Sequence, residues 1–221
     1  MPTTLITADP RILPSPRWPD SLPWHQRCMT HALVIGGTGM LRGVALSLAS
    51  AADTVSIIAR TPARLRALAR EARSLGKRAA INPIAVDYAR GGGDDLARAL
   101  RTLANDSGPV TLAVAWIHST APDALPAAAR ALAAAGPVRL FHIVGSTDAR
   151  PVPTNAAAAR ELPSIRYRRI TLGFVPGPVG GGGPSRWLTD DEITTGVLRA
   201  IELDAPDTTI GATTPWSARP S

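Results

Sequence analysis

The chain has 221 residues, 45% of them hydrophobic, with a formal net charge of +7 and one cysteine, Cys28. That length suits one α/β domain with a full core, no apolar stretch reaches the roughly 18 residues of a membrane helix, and one cysteine excludes an internal disulfide and suits a reducing, cytoplasmic setting. The charge does not read as a nucleic-acid surface, because Lys77 is the only lysine among 24 basic residues and the arginines are scattered along helices instead of gathered in a stripe.

Residues 1–30 are rich in proline, carry Trp18 and Trp24, and show no periodic pattern, so they read as an irregular N-terminal extension to a single domain over 31–221. Met29 precedes the first strand pattern, which leaves two readings of residues 1–28: an upstream-start extension, or an arm that packs its tryptophans on the domain or a partner. The segment lacks the basic start, apolar stretch and cleavage site of a signal peptide.

From residue 32 short apolar runs alternate with helical patterns, the mark of a parallel sheet covered on both faces. A strand over Ala32–Ile35 leads through a glycine turn into a helix over about Leu41–Ala51. A second strand, Thr54–Ala59, precedes a helix that starts at Pro62, a favoured first-turn residue, and runs to about Leu75. Strand three, Ile81–Val86, is followed by Gly91–Gly93 and a helix from Asp94 to about Leu103. Strand four is Val110–Ile117, then a helix over Pro122–Ala135 ended by Gly136-Pro137. Strand five is Arg139–Val144, and a modest helix fits around Asn155–Glu161. Strand six is Arg168–Val175, with a glycine-proline loop at Pro176–Pro184. Thr189 and Glu192 form a capping-box pattern opening a helix to about Ile201, and Thr208–Ala212 is the last strand.

The turn Gly36, Gly37, Thr38, Gly39, Met40, Leu41, Arg42 stands after a buried strand and before a helix. In that position backbone N–H groups and a helix N-terminus can hold a pyrophosphate. Strand two ends at Arg60, with no acid between Thr54 and Ala69. An NAD binder usually places an acid there to grip the adenosine 2′-hydroxyl, whereas an arginine fork suits a 2′-phosphate, so NADP(H) is favoured over NAD(H). Thr61 can add a hydroxyl, and Arg64 or Arg42 a second charge. Four scattered histidines and no Cys/His spacing give no metal site.

This order of elements, with its glycine turn, resembles the short-chain dehydrogenase/reductase superfamily at its short end. The resemblance spans residues 31–212 by layout. It implies a three-layer, doubly wound parallel sheet (a Rossmann fold) in the order 3-2-1-4-5-6 with a seventh strand at the edge. It also implies a pyrophosphate on the glycine turn, although Arg42 stands where the extended pattern has its last glycine and Gly43 comes one place late. Asp87 takes the place of the acid that bonds the adenine amino group, with Tyr88 packing nearby. Trp116, Ile117, His118 and Ser119 replace the Asn-Ala-Gly segment beside the nicotinamide ribose. Gly145 and Ser146 match the end of strand five, where a serine orients the substrate carbonyl, with Thr147 adjacent. Gly173–Pro178, including Phe174, resembles the Pro-Gly segment near the nicotinamide amide, and Gly180–Gly183 with Ser185–Trp187 reads as a lid. Trp187 is either a substrate wall or helix packing, with packing favoured, and His142 reads as structural.

The Tyr-x-x-x-Lys pair of these reductases has no counterpart: alanines and Arg160 occupy its place, and Tyr167, the other tyrosine, has Thr171 four residues later. His118 could donate a proton or bond the ribose, and Ser146 and Tyr167 are the remaining candidate proton or hydrogen-bond donors. The leading reading is an NADPH-dependent reductase acting on a small carbonyl, imine or activated double bond. A non-catalytic NADP(H)-binding regulatory protein and a non-redox cyclase or isomerase are the alternatives. A small-molecule substrate is the expected partner, with no nucleic acid and no membrane; homo-oligomerisation stays open.

Overall fold

The computed structural model describes residues 4–6, 31–89, 93–146, 154–177 and 184–220. The chain runs β1 (Thr4–Ile6), β2 (His31–Ile35), α1 (Arg42–Ala51), β3 (Thr54–Ala59), α2 (Pro62–Ser74), β4 (Ile81–Ala85), α3 (Asp94–Ser107) and β5 (Leu112–Trp116). It continues through α4 (Ala124–Ala135), β6 (Val138–Gly145), α5 (Thr154–Arg160), β7 (Ile165–Leu172), β8 (Phe174–Val175), β9 (Arg186–Trp187), α6 (Asp190–Leu203) and β10 (Asp207–Ile210). Trp18, Trp24, Cys28, Met29, Thr147 and the Gly180–Gly183 run lie outside the described residues.

Eight strands form one sheet in the order β1-β10-β7-β6-β5-β2-β3-β4, and every neighbouring pair is parallel. The chain winds outward from β2 through β3 to β4, then returns beside β2 with β5 and winds the other way. This is the doubly wound order expected from the sequence, with β10 as the seventh strand. Thr4–Ile6 adds an eighth by pairing with Thr208–Ile210. That three-residue strand comes from the proline-rich arm, where the sequence shows no period.

Helices cover both faces because each carries one apolar stripe. Helix α2 starts with Pro62 and buries Leu65, Leu68, Ala69 and Ala72, at helical spacing. Beneath α1, α2 and α6 lies one core layer that includes Val34, Ile57, Val114, Phe141 and Ile170. Beneath α3, α4 and α5 lies the other, which includes Leu33, Ile58, Ala113, Leu140 and Tyr167. Strand β2, in the middle, is buried at all its positions.

The sequence places strand six over Arg168–Val175, but β7 begins three residues earlier and stops at Leu172. The reason is Gly173. A Cβ there would lie 2.1 Å from the Ala212 carbonyl oxygen, so the backbone presses against the segment after β10. Phe174 then exchanges both its backbone hydrogen bonds with Ala212, at 2.9 and 2.8 Å. The chain leaves the sheet there and forms an antiparallel β8–β9 pair.

Candidate functional site

The site is built where the winding reverses, between β2 and β5 at their carboxyl ends, the place an open α/β sheet leaves a crevice. The turn after β2 is fixed by its neighbours. Gly36 has a φ of +85°, donates its N–H to the Ile58 carbonyl at 2.9 Å, and lies so near β5 that a Cβ would sit 2.8 Å from the Trp116 carbonyl oxygen. Gly37 is closed in by Ile57 and Val34. Gly39 differs from both: it is exposed, and a Cβ there would meet nothing within 4 Å. The turn thus opens at Gly39, just before α1 begins at Arg42 with no side-chain cap on its first N–H groups. Thr38 and Met40 are half-buried beside it and Leu41 is fully buried. The Arg42 N–H is taken by the Gly39 carbonyl at 2.8 Å, so an anion bound here would use the N–H groups of the turn itself.

The neighbouring strand ends supply charge. Arg60, exposed, directly follows β3, and Asp87 and Tyr88 follow β4. The structure brings these three together: burial raises the Tyr88 phenol above its usual range, Arg60 opposes that shift, and Asp87 adds to it. Thr61 is the N-cap of α2 and its side chain makes no cap bond, while Arg64 is exposed in the first turn. Arg42 is less available than its position suggests, because it forms an ion pair with Glu71 of α2. The Tyr88 hydroxyl donates to the Trp116 carbonyl at 3.3 Å, so the ends of β4 and β5 are tied across the glycine turn.

Beyond β5, β6 and β7 lies a cavity of about 210 Å³ whose walls include Trp116, Ser146, Leu172, Trp187, Leu188 and Ile193, with Gly145 and Gly173 in its floor. Ser146 is half-buried in this wall. His118 is exposed and sits edge-on to Trp116, with ring centroids 6.1 Å apart; it is not part of the cavity lining. Ser119 is exposed beside it, and Ile117 points into the core under α3 and α4, leaving only its backbone for a ligand. A larger depression, about 570 Å³, runs along the free edge of β4 against α3, with Asp87 and Asn82 in its lining. It flanks the sheet instead of crossing the strand ends.

The wall at Trp187 is held by strand pairing and by hydrogen bonds to α6. Trp187 pairs in register with Phe174 across β8–β9, and Arg186 grips Glu192 with two hydrogen bonds of 2.7 Å. Those bonds are the main reason the Glu192 carboxyl is pushed down to about 2. Thr189 and Glu192 complete the capping box of α6. Trp187 is therefore a cavity wall on a hairpin, where the sequence favours helix packing. Leu172, Leu188 and Ile193 belong to the same wall and carry no motif; only the fold brings them together.

Two expected site residues are not at the site. Tyr167 lies near the start of β7, at the far end of the strand from Gly173, and is 7% exposed. Its hydroxyl bonds His142 Nδ1 at 2.8 Å, and burial pushes its phenol above the ordinary range against the opposing charges of Arg160 and Arg169. It is a core residue, and the sequence misplaces it because strand six begins three residues before its expected start. Phe174 is fully buried and both its backbone groups are taken by Ala212, so it anchors the β8–β9 pair and offers nothing to a ligand. Helix α5 (Thr154–Arg160) contains neither a tyrosine nor a lysine. Lys77 donates to Ser50 on α1.

The fold and the crevice define a doubly wound Rossmann-type α/β domain with a glycine turn at its switch point. Solved structures of short-chain dehydrogenase/reductases share this fold. The enzyme from Mycobacterium marinum is 20% identical with a TM-score of 0.63, the similarity covering 86% of this chain and 99% of that one. A short-chain dehydrogenase from Oenococcus oeni is 14% identical with a TM-score of 0.64, covering 86% and 97%. NAD+-bound xylitol dehydrogenase is 14% identical with a TM-score of 0.59, covering 82% and 96%. No family model and no curated protein matches the chain.

Proposed function

We propose that this protein is an NADP(H)-dependent reductase acting on a small carbonyl, imine or activated double bond. The observation that carries the reading is the glycine turn: tightly held at Gly36 and Gly37, open at Gly39, and flanked by Arg60 where an acid would favour NAD(H). One of the similar structures is itself NAD+-bound. Backbone N–H groups of the turn hold the pyrophosphate, Arg60 with Thr61 and Arg64 holds the 2′-phosphate, and Asp87 with Tyr88 holds the adenine. Gly145 and the backbone at Trp116, Ile117 and Ser119 flank the nicotinamide end. A bound nicotinamide supplies hydride chemistry. Ser146, in the cavity wall, donates a hydrogen bond to the acceptor oxygen or nitrogen, and His118, exposed beyond Trp116 and outside the cavity lining, is the further candidate proton donor.

The test is a parallel titration with NADPH and NADH, followed by fluorescence, on wild type and Arg60→Ala. NADPH should bind at least about tenfold more tightly, a preference Arg60→Ala abolishes. Binding of neither nucleotide would end the reading.

A second reading is favoured by Lys77, the only lysine, which bonds Ser50 of α1: a non-catalytic NADP(H)-binding regulator that lacks a Tyr-x-x-x-Lys pair and does no chemistry. The two separate on turnover. The reductase oxidises bound NADPH when given an acceptor and slows with Ser146→Ala or His118→Ala; the regulator leaves NADPH unoxidised across carbonyl and imine panels.

A further inference from the structure

The cavity at the ends of β5, β6 and β7 has no charged side chain in its lining among the described residues, although the chain carries a net charge of +7. The nearest arginine on the hairpin, Arg186, is committed to Glu192 through both its terminal nitrogens. Ser146 is the one hydroxyl among the described wall residues; the rest is two indoles, three aliphatic side chains and glycine backbone. A carboxylate or phosphate placed there would lose part of its hydration and find no cation among the described residues, an unfavourable exchange. A neutral group with a single acceptor atom loses far less.

Size and shape narrow the class. A cavity of about 150 Å³ accommodates benzene, so the 210 Å³ here has room for one six-membered ring with a short arm. Trp116 is half-buried and Trp187 keeps 50% of its surface exposed, on a hairpin that pairing, the Arg186–Glu192 bonds and the capping box hold in place. A large apolar side chain fixed and half in water at a cavity mouth gains by covering, and a flat ring covers an indole with little ordering cost because the wall is already built.

We propose that the acceptor is a neutral molecule with one aromatic ring, lying against Trp116 and Trp187 with its carbonyl or imine on the Ser146 hydroxyl. The word acceptor rests on the reductase reading; the ring slot does not. In the reaction the carbonyl or imine carbon gains a hydride, its oxygen or nitrogen gains a proton, and the acceptor leaves as alcohol or amine while NADPH leaves as NADP+.

The test uses three ketones of similar size: acetophenone, 4-acetylbenzoate and cyclohexyl methyl ketone. Each is titrated into wild type, Trp187→Ala and Trp187→Phe by calorimetry, with and without saturating NADPH, and then assayed for NADPH oxidation. Acetophenone should bind at least about tenfold more tightly than the other two, Trp187→Ala should lose about tenfold, Trp187→Phe should retain most of the affinity, and NADPH should not compete. Equal binding of all three ketones, or no effect of Trp187→Ala, overturns the proposal. Displacement of acetophenone by NADPH also overturns it, since the slot would then hold the nicotinamide. Acetophenone bound as expected but never reduced leaves the ring slot standing and overturns the statement that its aryl ketone occupant is the acceptor. NADPH oxidised equally well with every ketone overturns the ring slot and leaves the reductase reading standing.

Discussion

Gly36, Gly37 and Gly39 stand within one turn, yet each is glycine for a different reason. Gly36 needs both its φ of +85° and the absence of a Cβ beside the Trp116 carbonyl, so Gly36→Ala should destabilise the domain by about 1–3 kcal/mol. At Gly39 there is free space, and a methyl group there meets only an incoming ligand. Gly39→Ala should therefore leave the urea midpoint unchanged while weakening NADPH binding at least about tenfold. A shifted midpoint with unchanged NADPH affinity would mean that the opening is not a phosphate cradle. A second residue-scale prediction concerns pH. His142 is buried against Tyr167, and burial, with help from Arg169, lowers it to about 4 from 6.5. The unfolded chain then takes up the proton first as pH falls, so stability is level above about 6.5, declines between 6.5 and 4, and loses up to about 3 kcal/mol from this group. His31, lowered mainly by burial, acts in the same direction. Urea melts at pH 7 and pH 5 should differ by about 2 kcal/mol in wild type, and His142→Gln should shrink that difference.

At the scale of elements, the N-terminus of α6 both caps a helix and fixes a cavity wall. Thr189 accepts from the Glu192 N–H at 3.2 Å while Glu192 Oε2 accepts from the Thr189 N–H at 2.9 Å, and the same carboxylate holds Arg186 next to Trp187. Thr189→Ala should cost about 1 kcal/mol in a urea melt and also weaken binding of a neutral aryl ketone; loss of stability alone would detach the cap from the cavity. Much of this element is legible in the sequence. The capping box is readable because Thr-x-x-Glu before an apolar period has one structural meaning, and Thr54–Ala59 matches β3 because a strand buried on both faces is a nearly continuous apolar run, interrupted here by Ser56, which bonds His31. The pocket is not legible. Strand β9 is two residues long and has no period, and Tyr167 can be placed only once Gly173 is known to end β7. What brings Leu172, Leu188 and Ile193 to one wall is long-range packing, which leaves no local pattern.

Over the whole molecule, the two ends of the sheet are built from different chemistry. The carboxyl ends carry the glycine turn with its open space, Arg60 and Asp87 beside it, and an apolar cavity. The opposite end is tied by arginines: Arg139, Arg166 and Arg168 converge on Asp204 at 4.0, 3.3 and 3.1 Å, and Arg160 and Arg169 on Asp207 at 3.6 and 2.7 Å. The sheet edges differ too, since β1 covers β10 while β4 ends the sheet with an exposed Pro83, a residue that cannot donate to a further strand. Of the two acids, Asp204 carries more of the structure. It caps α6 with a φ of 49°, and its side chain is 15% exposed beside Arg168 at 12%. Asn tolerates that backbone as well as Asp does, so Asp204→Asn removes the charge and keeps the turn. Three guanidinium groups then share a site without its carboxylate, and the loss should be about 3 kcal/mol, the range for breaking a buried pair. Arg166, 57% exposed, should cost under about 1 kcal/mol on removal, as exposed pairs do. Because the defect is repulsion among cations, raising sodium chloride from about 0.05 to 0.5 M should recover part of the Asp204→Asn deficit and little of the Arg166→Ala one. Equal, salt-independent losses in urea melts of the two variants would show that Asp204 serves only as a helix cap, and that the arginine surplus at this end is solvated and carries no share of the stability.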